Sequence, residues 1–265
     1  MLLSWLRQRR RRQILANPFP EEWHAYLERN VHHYLLLTDE ERRRLRNDLQ
    51  ILIAEKNWEG CNGLEINEEI QVTIAAQACL LTLAIPHDYY PGTQSILVYP
   101  YGYVAKSTRV LSGGMVWEGD SGRLGESWQR GPVILSWADA YQGGRCPRDG
   151  HNLVLHEFAH KLDMLIGTAD GTPPLGDYDT YRRWKEVMGY EFERLQREAE
   201  LGRPTVLDPY GATNPAEFFA VSTECFFELP RRLRGRHPEL YGLLQEFYQQ
   251  DPAGWDWASL RSRCP

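Results

Sequence analysis

The run His156-Glu157-Phe158-Ala159-His160 sets two imidazoles four residues apart with a carboxylate between them. On a helix, positions four apart share a face, so both rings can grip one ion. Glu157, one residue past the first histidine, then reaches a water held by that ion. Two neutral imidazoles and one carboxylate leave a fourth position open, the ligand balance of a catalytic Zn²⁺ site. Such an ion lowers the pKa of its water and polarises a carbonyl, and the carboxylate takes the proton. The chemistry indicated is hydrolysis of a peptide bond. Leu153, Phe158, Ala159 and Leu162 are apolar, so the pattern predicts a mostly buried helix ending near Leu165 or Ile166, with Gly167 as its cap.

Two histidines are not a sufficient ligand set. Asp163 lies three residues past His160, where the helix axis carries it away from the ion; it suits an anchoring carboxylate. Asp170, Asp177 and Asp179 fall in a glycine- and aspartate-rich loop, 168–180, which reads as the mobile rim of the site. Better candidates lie in 208–224. Asn214 suits an N-cap and Pro215 the first helical position, which puts Glu217 third in a helix among Phe218, Phe219, Ala220 and Val221. A carboxylate in that company needs a partner, and zinc is a strong one. Two alternatives stay open: Glu217 as the capping-box partner of Asn214, and Glu224 as the ligand or as acceptor for a histidine N–H.

The elements that position these groups are mainly helical up to about residue 84. Thr38 with Glu41 forms a capping box ahead of Leu45, Leu49, Leu52 and Ile53, and Asn67 caps an apolar helix from Glu68 to Leu83. Trp58, Cys61 and Leu64 mark an irregular stretch between them. Strands are expected at Ser95–Tyr99, Met115–Trp117 and Gly131–Trp137, the last separated from the histidine helix by a loop from Asp139 to Gly150. Pro132 suits an edge strand, and an edge beside a metal site can pair with an extended substrate. A long charged helix spans Tyr181–Leu201, and Pro238 opens another with Leu240, Leu243, Leu244 and Phe247 on one face. His24, His32, His33 and His87 read as surface or local hydrogen-bonding residues. Trp255 and Trp257 either cover the core or form a binding surface.

Composition bounds the partners. The 265 residues are 42% hydrophobic and 25% charged, ordinary for a globular chain with a real core. No run of eighteen apolar residues exists, so no membrane span is expected. A formal charge of −6 argues against direct nucleic-acid binding. Cys61, Cys79, Cys146, Cys225 and Cys264 are scattered and odd in number, which fits the reducing cytoplasm rather than a disulfide scaffold. The arginine run Arg9 to Arg12 follows a short apolar start, the reverse of a secretory signal, and reads as a solvated tail, with contact to a membrane surface or an acidic partner as the alternative. The expected organisation is a flexible basic tail over 1–20 and a single domain over 21–265. Within it lie a helical part 21–90, a sheet and active-site region 91–229 and a C-terminal helix 237–250.

His156 through Asp163, with Tyr210 and Asn214 through Ala220, resembles the Mlc titration factor A family of bacterial zinc peptidases. The likeness runs from about residue 20 to 250, and includes Gly131–Trp137 and Phe247–Pro252. The two core motifs are also similar to those of the catalytic domain of anthrax lethal factor. Family members often carry Asp where Asn214 stands, another capping residue. The resemblance implies an α+β, zincin-like metallopeptidase, mostly helical, with a small mixed sheet whose edge strand flanks the active-site helix. It implies one Zn²⁺ per chain on His156, His160 and Glu217, with Glu157 as general base. Tyr210, just outside the helix start, would donate to the oxyanion; its bland alternative is a packed tyrosine on a turn. The implied activity is that of a cytoplasmic aminopeptidase acting on peptide substrates. The implied partner is an Mlc-type transcriptional repressor, titrated to regulate sugar uptake. The rival class is a non-enzymatic, zinc-containing module that binds such a regulator.

Overall fold

A computed structural model describes residues 2–101, 131–167 and 169–260. The helices are α1 (Leu2–Leu15), α2 (Glu21–Asn30), α3 (His32–Leu36), α4 (Asp39–Glu55), α5 (Glu68–Thr82), α6 (Trp137–Arg145), α7 (Leu153–Asp163), α8 (Tyr178–Glu200), α9 (Pro215–Glu228), α10 (Pro230–Arg236) and α11 (Pro238–Tyr248). The strands are β1 (Asn57–Gly60), β2 (Ser95–Tyr99) and β3 (Val133–Ser136). The fold is mostly helical α+β.

The described strands lie in the order β1-β2-β3, and both pairings are parallel, Asn57 opposite Ser95 and Ile96 opposite Val133. The mixed pairing expected from sequence is thus not seen among the described strands. The strand expected at Met115–Trp117 lies outside the described residues. Strand β1 occupies the stretch read as irregular. Its four residues, Asn-Trp-Glu-Gly, carry no apolar alternation, and it is the ladder to β2 that makes them a strand.

α5 is buried from Val72 to Thr82 and forms the centre of the helical layers, packed against α2, α4, α6 and α7. Its N-cap is Asn67, and the Thr38–Glu41 capping box opens α4. The apolar core runs from Trp23 to Ala253 and includes Phe158, Trp184, Phe218, Phe226 and Tyr248.

Three expectations need correction. Residues 2–15 are no loose tail: α1 packs on α4, and Arg11 bridges Glu55 and Asp88, each at 2.7 Å. A charge run reads as solvated until one member meets two carboxylates. The segment Asp139–Gly150 is not simply a loop, because Ser136 ends β3 by capping α6, its hydroxyl accepting from the Asp139 N–H at 3.3 Å. The glycines that suggested a loop are close-packing positions: a Cβ on Gly144 would sit 2.3 Å from the Asn30 carbonyl oxygen. Finally, His32 and His33 are buried, not superficial.

His33 accounts for a pH-dependent part of the stability. Its Nε2 meets the Phe227 carbonyl at 3.1 Å, and its ring packs against Trp255 and Trp257, which cover the core there. Burial pushes its pKa down from 6.5 to about 4. The unfolded chain therefore binds more protons between those values, so stability is full above pH 6.5 and falls as the pH drops toward 4. Urea unfolding across this interval should show about 3 kcal/mol of loss in the wild type that His33→Phe does not share.

Candidate metal centre

Helix α7 starts at Asn152, whose side-chain oxygen accepts from the Leu155 N–H at 3.0 Å. This cap is itself fixed from two sides. Its amide nitrogen donates to Gln77 on α5 and to Glu228 on α9, at 3.0 and 3.2 Å, and its backbone N–H donates to Glu224 at 2.6 Å. One turn on, His156 Nδ1 donates to the other oxygen of Glu224 at 2.7 Å. With that proton held, Nε2 is the nitrogen that would offer its lone pair to a bound ion on the opposite side.

There it meets two further donors. His156 Nε2 lies 3.1 Å from Glu217 Oε2 and 3.2 Å from His160 Nε2, and His160 Nε2 lies 3.4 Å from the same carboxylate oxygen. For metal–ligand bonds of ~2.0–2.1 Å in a tetrahedron, ligand atoms stand roughly 3.3–3.4 Å apart. His156, His160 and Glu217 therefore form a His-His-Glu cluster able to coordinate a metal ion. The N-cap of α9 explains how Glu217 reaches the cluster: Asn214 accepts its backbone N–H at 3.0 Å, while its carboxylate turns to the histidines. Burial pushes the Glu217 carboxyl up, but hydrogen bonds with His156 and His160 outweigh this and hold it below its ordinary value.

Glu157 is half-buried and faces a cavity whose lining includes Asp139, Gln142, His151, His156 and Tyr210. Burial raises its carboxyl above the usual range against the opposing pull of His156 and His160. Tyr210 sits on a single turn of 3-10 helix, Pro209–Ala212, capped by Asp208, with its ring 6.2 Å from that of His156.

The remaining carboxylates have other uses. Asp163 is fully buried and accepts from the N–H groups of Gly171 and Thr172 at 2.8 and 2.7 Å, and burial raises its pKa to about 6. It anchors the segment that follows α7. Gly171 lies against α9 so closely that a Cβ would come within 2.4 Å of the Pro215 carbonyl oxygen. The loop carboxylates face neither the cluster nor the cavity: Asp177 caps α8, Asp170 pairs with Lys185 at 3.1 Å, and Asp179 pairs with Arg182 at 3.5 Å. Sequence reasoning gave no role to Asn152, Asp139 or His151. Asn152 carried a legible signal, an asparagine immediately before an apolar run. The other two reach the cavity only through the strand-to-helix turn at Ser136 and the approach of Asp208 to His151, at 3.5 Å.

The family profile of the glucose-regulated metallo-peptidase M90 matches residues 5–249. The chain belongs to the M90 metallopeptidase family. A similar protein, an uncharacterized protein of Synechocystis sp., is 40% identical over 94% of this chain and 90% of its own length. The proteins named Mlc titration factor A from Yersinia pestis and Yersinia pseudotuberculosis are each 32% identical, over 87% of this chain and 85% of theirs. The M90 match also begins inside α1, so the arginine-rich segment, without a counterpart in the sequence-level resemblance, falls within the family's span.

Metal retention should separate the donors from their support. Glu217→Ala should abolish stoichiometric zinc retention after gel filtration. Glu224→Gln should keep the site but weaken zinc roughly 10–100-fold in competition with a chromogenic chelator, because His156 loses the group that fixes its tautomer.

Proposed function

We propose that this M90 protein is a zinc-dependent peptidase with a zincin-like site, acting as an aminopeptidase in the cytoplasm. The observation that carries the reading is the convergence of three ligand-type atoms, from His156, His160 and Glu217, beside a cavity faced by Glu157 and Tyr210. Zinc bound there would supply Lewis acidity, polarising the scissile carbonyl and lowering the pKa of a water. Glu157 accepts the water's proton and delivers it to the leaving amine. Glu224 keeps His156 in one tautomer, and Tyr210 donates its hydroxyl to the oxygen that gains charge.

Substrate is positioned by β3. Among the described residues this strand has a partner on one side only, and Lys161 of α7 donates to the Gly131 carbonyl near its start at 3.1 Å. An extended peptide pairs its backbone with the side of β3 that has no partner among the described residues. Asp139 and Asp149 line the cavity and suit a free α-amine, while Asp170, Asp177 and Asp179 are engaged with α8.

The name of the Yersinia relatives, Mlc titration factor A, supports a second role, binding a regulator of the Mlc type; the repressor and the influence on sugar uptake are what the resemblance implies. The two roles are compatible. A module that only sequesters a regulator has no need of a base beside the metal, so Glu157 is the residue that separates them.

The decisive experiment screens zinc-loaded protein against peptide amides with varied first residues. Glu157→Gln should retain zinc and fold but lose about 10²–10⁴-fold in kcat. Tyr210→Phe should lose roughly 100-fold. N-terminal acetylation should suppress cleavage. Absence of cleavage across the panel at saturating zinc would leave the binding module as the function.

A further inference from the structure

Helix α1 has two faces with different fates. At 100° per residue Arg7, Arg11 and Ile14 lie within about 60° of one another, and this face is docked. Arg11 bridges Glu55 and Asp88, its guanidinium also covers the Tyr89 ring at 4.4 Å, and Arg7 meets Asp88 at 2.8 Å. The opposite face carries Trp5, Arg9 and Arg12, again within about 60°. Trp5 is 50% exposed, Arg9 lies 5.6 Å from its ring, and Leu6 beside it is 46% exposed. The helix has no acidic residue.

We infer that α1 is a docking element for the surface of an anionic lipid bilayer, which its outward Trp5–Arg9–Arg12 face meets while Arg7 and Arg11 hold it to the body. An exposed indole next to cationic side chains is the pairing that settles at a headgroup layer, with the ring and Leu6 in the acyl boundary and the guanidiniums on phosphates. The helix lies on such a surface and does not cross it: fourteen residues span about 21 Å, and no described helix is long and apolar enough for a membrane. Charge favours a bilayer over an extended polyanion. Five of the chain's arginines are in α1, so the formal charge of −6 becomes −11 without it, and a nucleic acid crossing the body would be repelled. A planar surface need touch only the outer face of the helix.

The test uses the full purified chain and sedimentation with vesicles of phosphatidylcholine alone or mixed with phosphatidylglycerol, at low and high salt. Binding should appear only with the anionic lipid and weaken with salt. Arg9→Gln/Arg12→Gln should lower the partition coefficient roughly thirty-fold. Trp5→Ser/Leu6→Ser should remove the binding that survives high salt. Both variants should melt like the wild type, since none of the four side chains holds the helix in place. Equal binding to both vesicle types, variants that bind as wild type, or retention of duplex DNA or an acidic protein with no vesicle binding would overturn the inference.

Discussion

One imidazole, that of His156, is held at both of its nitrogens by carboxylates of a single helix. Glu217 and Glu224 are seven residues apart on α9, two turns along one face, and His156 lies between them. Taking a carboxylate such as Glu224 into the interior costs several kcal/mol unless its oxygens are occupied. Here one oxygen takes the imidazole N–H and the other the backbone N–H of Asn152. The metal-type cluster and the packing of α7 on α9 are thus one structure. α9 is buried from Phe218 to Glu228, so neither carboxylate can shift along its axis without disturbing the aromatic core.

The same seam reaches into the N-terminal half. Asn152 donates to Gln77, whose own amide donates to the Ala140 carbonyl at 3.0 Å, so α5, α6 and α7 meet around two side-chain amides. α6 can come this near because Gly143 and Gly144 present no side chains to Asn152 and Asn30. The close approach brings Asp139 and Gln142 to the cavity wall. Backbone shape here decides which charges a substrate would meet.

Local signals were readable where one residue type answers one local need. The caps at Thr38, Asn67 and Asn214 each satisfy helix-end N–H groups within three residues, and all were legible. The histidine spacing was legible for the same reason, whereas at Glu217 the residues left cap and ligand open, and it is the approach of α9 to α7 that turns its carboxylate toward the histidines. What escaped was set by partners distant in sequence. β1 owes its form to β2, nearly forty residues later. The burial of His33 depends on Phe227 and the two late tryptophans, and the order of α1 depends on Glu55 and Asp88. Glycine was ambiguous in principle, since a residue that loosens a loop also permits helices to touch.

The segment after α7 looks like a place where sequence could drift, with its glycines, aspartates and prolines. Gly171 says otherwise. It has φ +76°, its N–H is bound by Asp163, its carbonyl accepts from the Trp184 indole at 2.8 Å, and it rests on the Pro215 carbonyl two residues before Glu217. Any side chain there must push the first turn of α9 aside or tear three anchors loose. Mutational tolerance in this protein therefore does not follow distance from the histidines. A single methyl group on an apparently permissive loop would misplace the third donor, and lineages that keep that donor should find this glycine among the hardest residues to replace.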